Sequence, residues 1–212
     1  GSGRVVRVVE SDVVVDQVRD VPLWWAKWAS LDFGIGHPFA YAVLLWDRDS
    51  DVIYVHHVEK MGDQIPTFHV RNMRPIVGLL PVAWPHDGNQ RDKGSGKALA
   101  QQYKEEGLKM HEEHSQFEDG GYSLEASVLE MDTRLKTGRL KVSRHCEPFL
   151  DEYRNYHRKD GVIVPIKDDV ISAVRTGIMM KRIGKPMPLG MPHGRNARRG
   201  QQFAIGTGDP VI

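Results

Sequence analysis

The sequence predicts an α/β domain with a mixed central β-sheet flanked by α-helices, and three observations carry this. Residues 28–59 contain three runs dense in β-formers and apolar residues, WASLD, HPFAYAVLLW and VIYVHHVE, separated by a Gly/Pro turn and by the polar DRDSD turn, so they read as an antiparallel meander. Helical periodicity then takes over in stretches opening near residues 65, 95, 123, 147 and 170. Between the first two of these lies PVAWP, a short apolar run that reads as a fourth strand, free to pair in parallel with the first.

The 212 residues suffice for one sizeable core and a small appendage, and 27% charged with 40% hydrophobic residues is ordinary for a globular domain. No apolar run approaches the roughly 20 residues of a membrane-spanning helix, and no secretory signal pattern is present. Gly1-Ser2-Gly3, without an initiating Met, reads as a tag remnant, so a piece of a longer protein is expected. Cys146 is the only cysteine, which excludes an intrachain disulfide or a cysteine-based zinc site and fits a reducing, intracellular setting. The net charge of +1 hides an asymmetry: residues 170–208 carry seven Lys/Arg and no Asp or Glu, leaving the rest acidic. A basic C-terminal end on an acidic body points to a polyanion, the alternative being a solvated tail without a specific partner.

In chain order, residues 1–25 are a tag remnant and lead-in, with Val-rich runs expected as edge strands or extended chain and Pro22-Leu23-Trp24-Trp25 as a packing plug. Residues 26–183 form the folded domain. After the meander, Pro66 suits the first turn of a helix over 65–80. Ser95 is expected to cap a helix to about Glu106, followed by a fifth strand over Leu108–His111. A polar, Gly-containing loop covers 112–122; Ser123 opens a helix that Gly138 ends, and Glu147–His157 forms another. GVIVPI over 161–166 is extended, and an amphipathic helix runs from Val170 to about Ile183. Residues 184–212 are a Pro/Gly-rich basic tail, with Arg195, Arg198 and Arg199 as candidate contacts to DNA or a partner.

The residue needing explanation is Asp32, a carboxylate at the end of a strand that reads as buried. A buried charge is costly unless a cation meets it. Asp32 can simply cap a turn. It can also be a metal ligand if other carboxylates converge on it. Asp87 ends the fourth strand, and Asp168-Asp169 open the last helix, where an N-cap role is the alternative. If the first and fourth strands pair in parallel, Asp32 and Asp87 meet, and a helix across that sheet end adds the third acid. An RNase H-like site is built this way, its carboxylates holding two divalent cations; hard oxygen ligands suit Mg2+ or Mn2+.

SLDFGIGHPFAYAVLLW, VAWPHDGNQRDKGSGKALAQQY and VIVPIKDDVISAVRTG, in that order, resemble the C-terminal nuclease domain of the large terminase subunit of tailed bacteriophages, close to short-tailed headful-packaging phages. The resemblance implies an RNase H-like fold and a two-metal (Mg2+ or Mn2+) endonuclease that cuts concatemeric double-stranded DNA during viral genome packaging. It implies the portal protein, the small terminase subunit and an N-terminal ATPase domain as partners, at the procapsid portal in the host cytoplasm. Asp32 matches the first acidic ligand, Asp87 the second and Asp168-Asp169 the third. Asp169 is favoured as the catalytic member because it stands immediately before the apolar run, and Asp168 remains a metal ligand candidate. Relatives often carry another acid three positions on, where this chain has Ser172.

Other motifs fit less well. GSGK at 94–97 lacks the earlier Gly and the Ser/Thr of a phosphate-binding loop, so Lys97 is left as an auxiliary DNA contact or a solvated helix residue. His86, beside Asp87, is an auxiliary candidate for metal binding or leaving-group protonation, or a structural histidine. His111-Glu112-Glu113-His114 has the wrong spacing for a zinc protease, Cys146 reads as structural, and the five Trp read as core and domain-contact residues. The competing functions are another RNase H-like nuclease, of resolvase, integrase or RNA-cleaving type, and a non-catalytic DNA or portal docking module.

Overall fold

The computed structural model describes residues 3–4, 8–34, 36–62, 64–91, 96–159, 162–163 and 168–190, with backbone alone for 3–4, 157–159 and 162–163. The chain runs β1 (Gly3–Arg4), α1 (Glu10–Val13), β2 (Val14–Val15), β3 (Ala26–Asp32), β4 (Phe39–Asp47), β5 (Val52–Met61), α2 (Pro66–Val77) and β6 (Pro81–Ala83). It continues through α3 (Leu99–Glu105), β7 (Lys109–Met110), α4 (Leu124–Lys136), β8 (Leu140–Ser143), α5 (Glu147–Asn155), β9 (His157–Lys159), β10 (Val162–Ile163), α6 (Asp169–Met179) and β11 (Lys185–Pro186).

The main sheet has the order β2-β8-β5-β4-β3-β6-β7, with β11 pairing additionally on β3; β1, β9 and β10 form a separate small sheet. The meander β3-β4-β5 is antiparallel, and β6 lies parallel to β3 with Ala29 opposite Val82 and Ser30 opposite Ala83. Alternation along the central strands separates two cores. Trp28, Ala40, Ala42 and Leu44 face α4, α5 and α6, whereas Leu31, Tyr41 and Val43 face α2 and α3. The small residues on the first face let α6 approach closely. A Cβ at Gly177 would lie 2.4 Å from Leu44 and 2.6 Å from Ser30, and the Trp28 indole donates to the Gly177 carbonyl at 2.9 Å.

Several local expectations are revised. Glu10–Val13 is a helical turn rather than extended chain, and it buries Val13 while β2 pairs in parallel with β8. The 22–25 segment is not a plug. The Lys27 ammonium gathers the carbonyls of Pro22, Leu23 and Trp25 at 2.8, 3.2 and 2.9 Å, which turns Leu23 and Trp24 outward, and only Trp25 packs, stacked on Tyr54. The expected cap Ser95 lies outside the described residues, and α3 follows Ala98 instead. Ser123 does cap α4, accepting from Ala126 N at 3.2 Å. The last helix ends at Met179, and a 3-10 turn covers Lys181–Ile183. Beyond the expected end of the domain, Lys185 and Pro186 pair with Lys27 and Ala26, and Met187 and Leu189 pack on the α2/α3 core. Within the expected extended run, only Val162–Ile163 is described; Arg195, Arg198 and Arg199 lie outside the described residues.

Candidate active site

Strand alternation aims the key carboxylate. Trp28, Ser30 and Asp32 share the α6 face of β3, and Asp32 is its last residue. The chain then turns through Gly34, whose φ of +67° favours glycine and where a Cβ would lie 2.4 Å from Phe39 N. Gly34 N donates to Asp32 Oδ1 at 3.0 Å. Parallel pairing carries β6 to the same sheet end, where the 3-10 turn His86–Asn89 holds Asp87. Gly88 fits that turn against Phe33 and Trp84, since a Cβ there would sit 2.5 and 2.7 Å from their rings. Across this end begins α6, with Asp169 as its first residue. Glu152 of α5 fixes that helix start by accepting from Val170 N at 2.8 Å and Ile171 N at 2.9 Å.

Two cations stand among the acids. Asp169 Oδ1 meets His37 Nδ1 at 2.6 Å, and Asp169 Oδ2 is hydrogen-bonded by the Lys60 ammonium. Lys60 Nζ also reaches Glu152 Oε1 at 3.0 Å, and His37 Nε2 lies 4.0 Å from Asp32 Oδ1. Asp32, His37, Lys60, Asp168, Asp169 and Arg175 line a cleft of about 660 Å³, which neither Glu152 nor Asp87 lines. Arg175 donates to Ser127 Oγ at 2.7 Å and to Ser172 Oγ at 3.3 Å, while its Nε lacks a hydrogen-bond partner among the described residues.

The electrostatics are those of crowded, half-dry carboxylates. Burial raises Asp32 from 3.8 to about 6; the Gly34 bond and His37 oppose the shift, and Asp87 and Asp169 add to it. Burial likewise raises Asp87 and Asp168, and it pushes Glu152 up to about 7 against the Ile171 bond and Lys60. For His37, burial lowers the pKa, but Asp32 and Asp169 outweigh it and the net shift is upward.

Thus Asp32, Asp87, Asp168 and Asp169 act on one another or on the same His37. His86 neighbours them, stacked on Tyr122 at 5.1 Å and edge-on to His114 at 4.7 Å. Lys97 does not line the cleft; it is half-exposed and pairs with Glu105 at 2.7 Å. Among the described residues, no three His, Cys, Asp or Glu side chains are placed to hold one ion between them. In this arrangement both Asp169 oxygens are engaged by His37 and Lys60. The donor set nevertheless suits a hard divalent cation: it is built from carboxylates, a buried Asp87 oxygen has no hydrogen-bond partner among the described residues, and the acids raise one another's proton affinity.

Sequence reasoning missed His37, Lys60, Glu152 and Arg175. A signal for Lys60 existed: Asp32 pairs with Ala40 and Ala40 with Lys60, so the meander's register puts acid, small residue and base in one row. No spacing rule identifies Glu152, which comes from a distant helix.

The fold and site define an RNase H-like nuclease-type domain, and the chain belongs to the terminase RNaseH-like domain family, which it matches over residues 29–181. It is 39% identical to the large terminase subunit of Salmonella phage P22 over 188 residues, covering 88% of this chain and 38% of that protein. The chain therefore spans well under half of that relative's length. The solved P22 large terminase nuclease domain superposes with a TM-score of 0.82 at 38% identity, covering 88% of this chain and 96% of that one. The large terminase nuclease of thermophilic phage G20c with bound cobalt shares the fold at 16% identity, with a TM-score of 0.54 over 79% of this chain and 92% of that one; forms with magnesium and zinc also match.

Proposed function

We propose that this domain is a divalent-metal-dependent endonuclease that hydrolyses double-stranded DNA for viral genome packaging. The observation that carries this reading is the convergence of Asp32, Asp87 and Asp169 from β3, the turn after β6 and the start of α6. Asp32, Asp87 and Asp169, with Asp168 beside them, would hold two Mg2+ or Mn2+ ions. Such ions supply a water made acidic enough to attack a phosphodiester and stabilise the charge on the leaving oxygen. The metals in the G20c nuclease support a divalent requirement.

The chain's own residues prepare the cleft. Lys60 and Arg175 set positive charge on its wall, drawing a phosphodiester toward the acids. Glu152 keeps the first turn of α6, and with it Asp169, in place. His37, partly exposed at the mouth, bonds Asp169 through Nδ1 and turns Nε2 toward Asp32. DNA contact is expected to be mainly through phosphates and weakly sequence-specific.

By likeness to the full-length large terminase subunits, the natural protein acts with an N-terminal ATPase domain, the portal protein and the small terminase subunit, at the procapsid in the host cytoplasm. The test is cleavage of duplex DNA, Holliday junctions and RNA–DNA hybrids in Mg2+ or Mn2+. Duplex cutting that disappears in Asp32→Asn and Asp87→Asn is expected. Preference for junctions or hybrids would assign another RNase H-like activity, and wild-type cutting by Asp87→Asn would remove Asp87 from the site.

A further inference from the structure

We propose that Lys60 is a built-in counter-cation for Asp169 that a divalent ion must displace, with Glu152 as the place to which it withdraws. The inference rests on the metal-site reading above and concerns what sets the ion's affinity. In a cluster of acids without an ion, like charges repel, and a resident cation keeps the cluster assembled. Lys60 is positioned for that by the sheet: it lies in one row with Asp32 and Ala40, and the alanine side chain leaves the space between them open. Its ammonium contacts Asp169 Oδ2 and, on the other side, Glu152 Oε1 at 3.0 Å. Glu152 is itself anchored, because its other oxygen accepts the two α6 amides. Lys60 therefore has two carboxylates within reach, only one of which belongs to the proposed ligand set. It can free Asp169 without losing its counter-charge. His37 also holds Asp169, at Oδ1, but at 44% side-chain exposure it has solvent as its alternative.

Two substitutions on the same ion pair then act in opposite directions. Lys60→Met removes the competitor, and Mn2+ is expected to bind about tenfold tighter, the scale of one contact charge in a partly solvated site. The metal-free protein should melt lower, while the Mn2+-induced rise in melting temperature grows. Glu152→Gln removes the retreat, so Lys60 rests on Asp169 alone and Mn2+ binds more weakly. Lys60→Arg, which can span both carboxylates, should restore near-wild-type affinity. The experiment is calorimetric titration of the purified domain with Mn2+, paired with thermal melts with and without the ion. A purely structural role for Lys60 would weaken ion binding in both Lys60→Met and Glu152→Gln. Unchanged or weaker binding by a folded Lys60→Met overturns the proposal; should that variant not fold, Glu152→Gln with wild-type or tighter binding does so. Absence of Mn2+ binding in wild type and Lys60→Met alike would instead remove the metal-site reading beneath it.

Discussion

Replacing Asp32 by Asn should stabilise the protein without metal, by an amount that depends on pH. The Asp32 side chain is 13% exposed and its pKa rises from 3.8 to about 6. Because the folded value lies above the unfolded one, the protonated carboxyl contributes stability that is fully present below about pH 4 and lost as pH rises through 6. Above that window the ionised group is a liability of roughly 3 kcal/mol, at 1.36 kcal/mol per pH unit. The attraction of His37 is already contained in that shift; Asn keeps an oxygen for the Gly34 amide but brings an NH2 that must find a partner in the half-buried site, so a net gain nearer 2 kcal/mol is expected. For a domain of this size that is a rise of about 4–8 °C in melting temperature. The assay is thermal unfolding of both proteins in chelator at pH 4.5 and pH 8. The difference should be small at the lower pH and near its full value at the higher. In excess Mn2+ the order should reverse, since only the wild type keeps the ligand. A variant less stable than wild type at pH 8, or a gain independent of pH, would refute the reasoning.

Other expectations test the scaffold. Gly177→Val should cost about 2 kcal/mol or more by chemical denaturation, because its branches have no space against Leu44 and Ser30. Arg134, 2% exposed and bonded to Glu130 at 2.7 Å and Asp51 at 3.3 Å, should cost about 3 kcal/mol as Arg134→Met, measured the same way. Truncation after Gly184 removes the β11 pairing and the Met187 and Leu189 contacts and should cost roughly 2–4 kcal/mol by the same measurement.

Much of this was legible in the sequence because the relevant signals are local. The β-rich runs with polar turns gave the meander, and the short PVA run between two helices gave the parallel strand that brings Asp87 toward Asp32. Asp169 was read from its place at a helix start. What stayed hidden depends on contacts between distant elements. Glu152 looks like a surface residue of an amphipathic helix, yet it is 7% exposed and bonded to α6. Nothing local in the sequence marks Lys27 as buried, yet it is 1% exposed because three carbonyls surround it. Lys97, weighed as an auxiliary DNA contact or a solvated helix residue, is half-exposed and pairs with Glu105 of α3.

The central claim is that Asp32, Asp87 and Asp169 form one divalent-metal site, and the most direct measurement is anomalous diffraction from crystals equilibrated with Mn2+. The account predicts anomalous density within direct coordination distance of oxygens from all three carboxylates, and Lys60 Nζ withdrawn from Asp169 onto Glu152. Mn2+ bound elsewhere, or a site that leaves Asp87 or Asp169 uncoordinated, would contradict it.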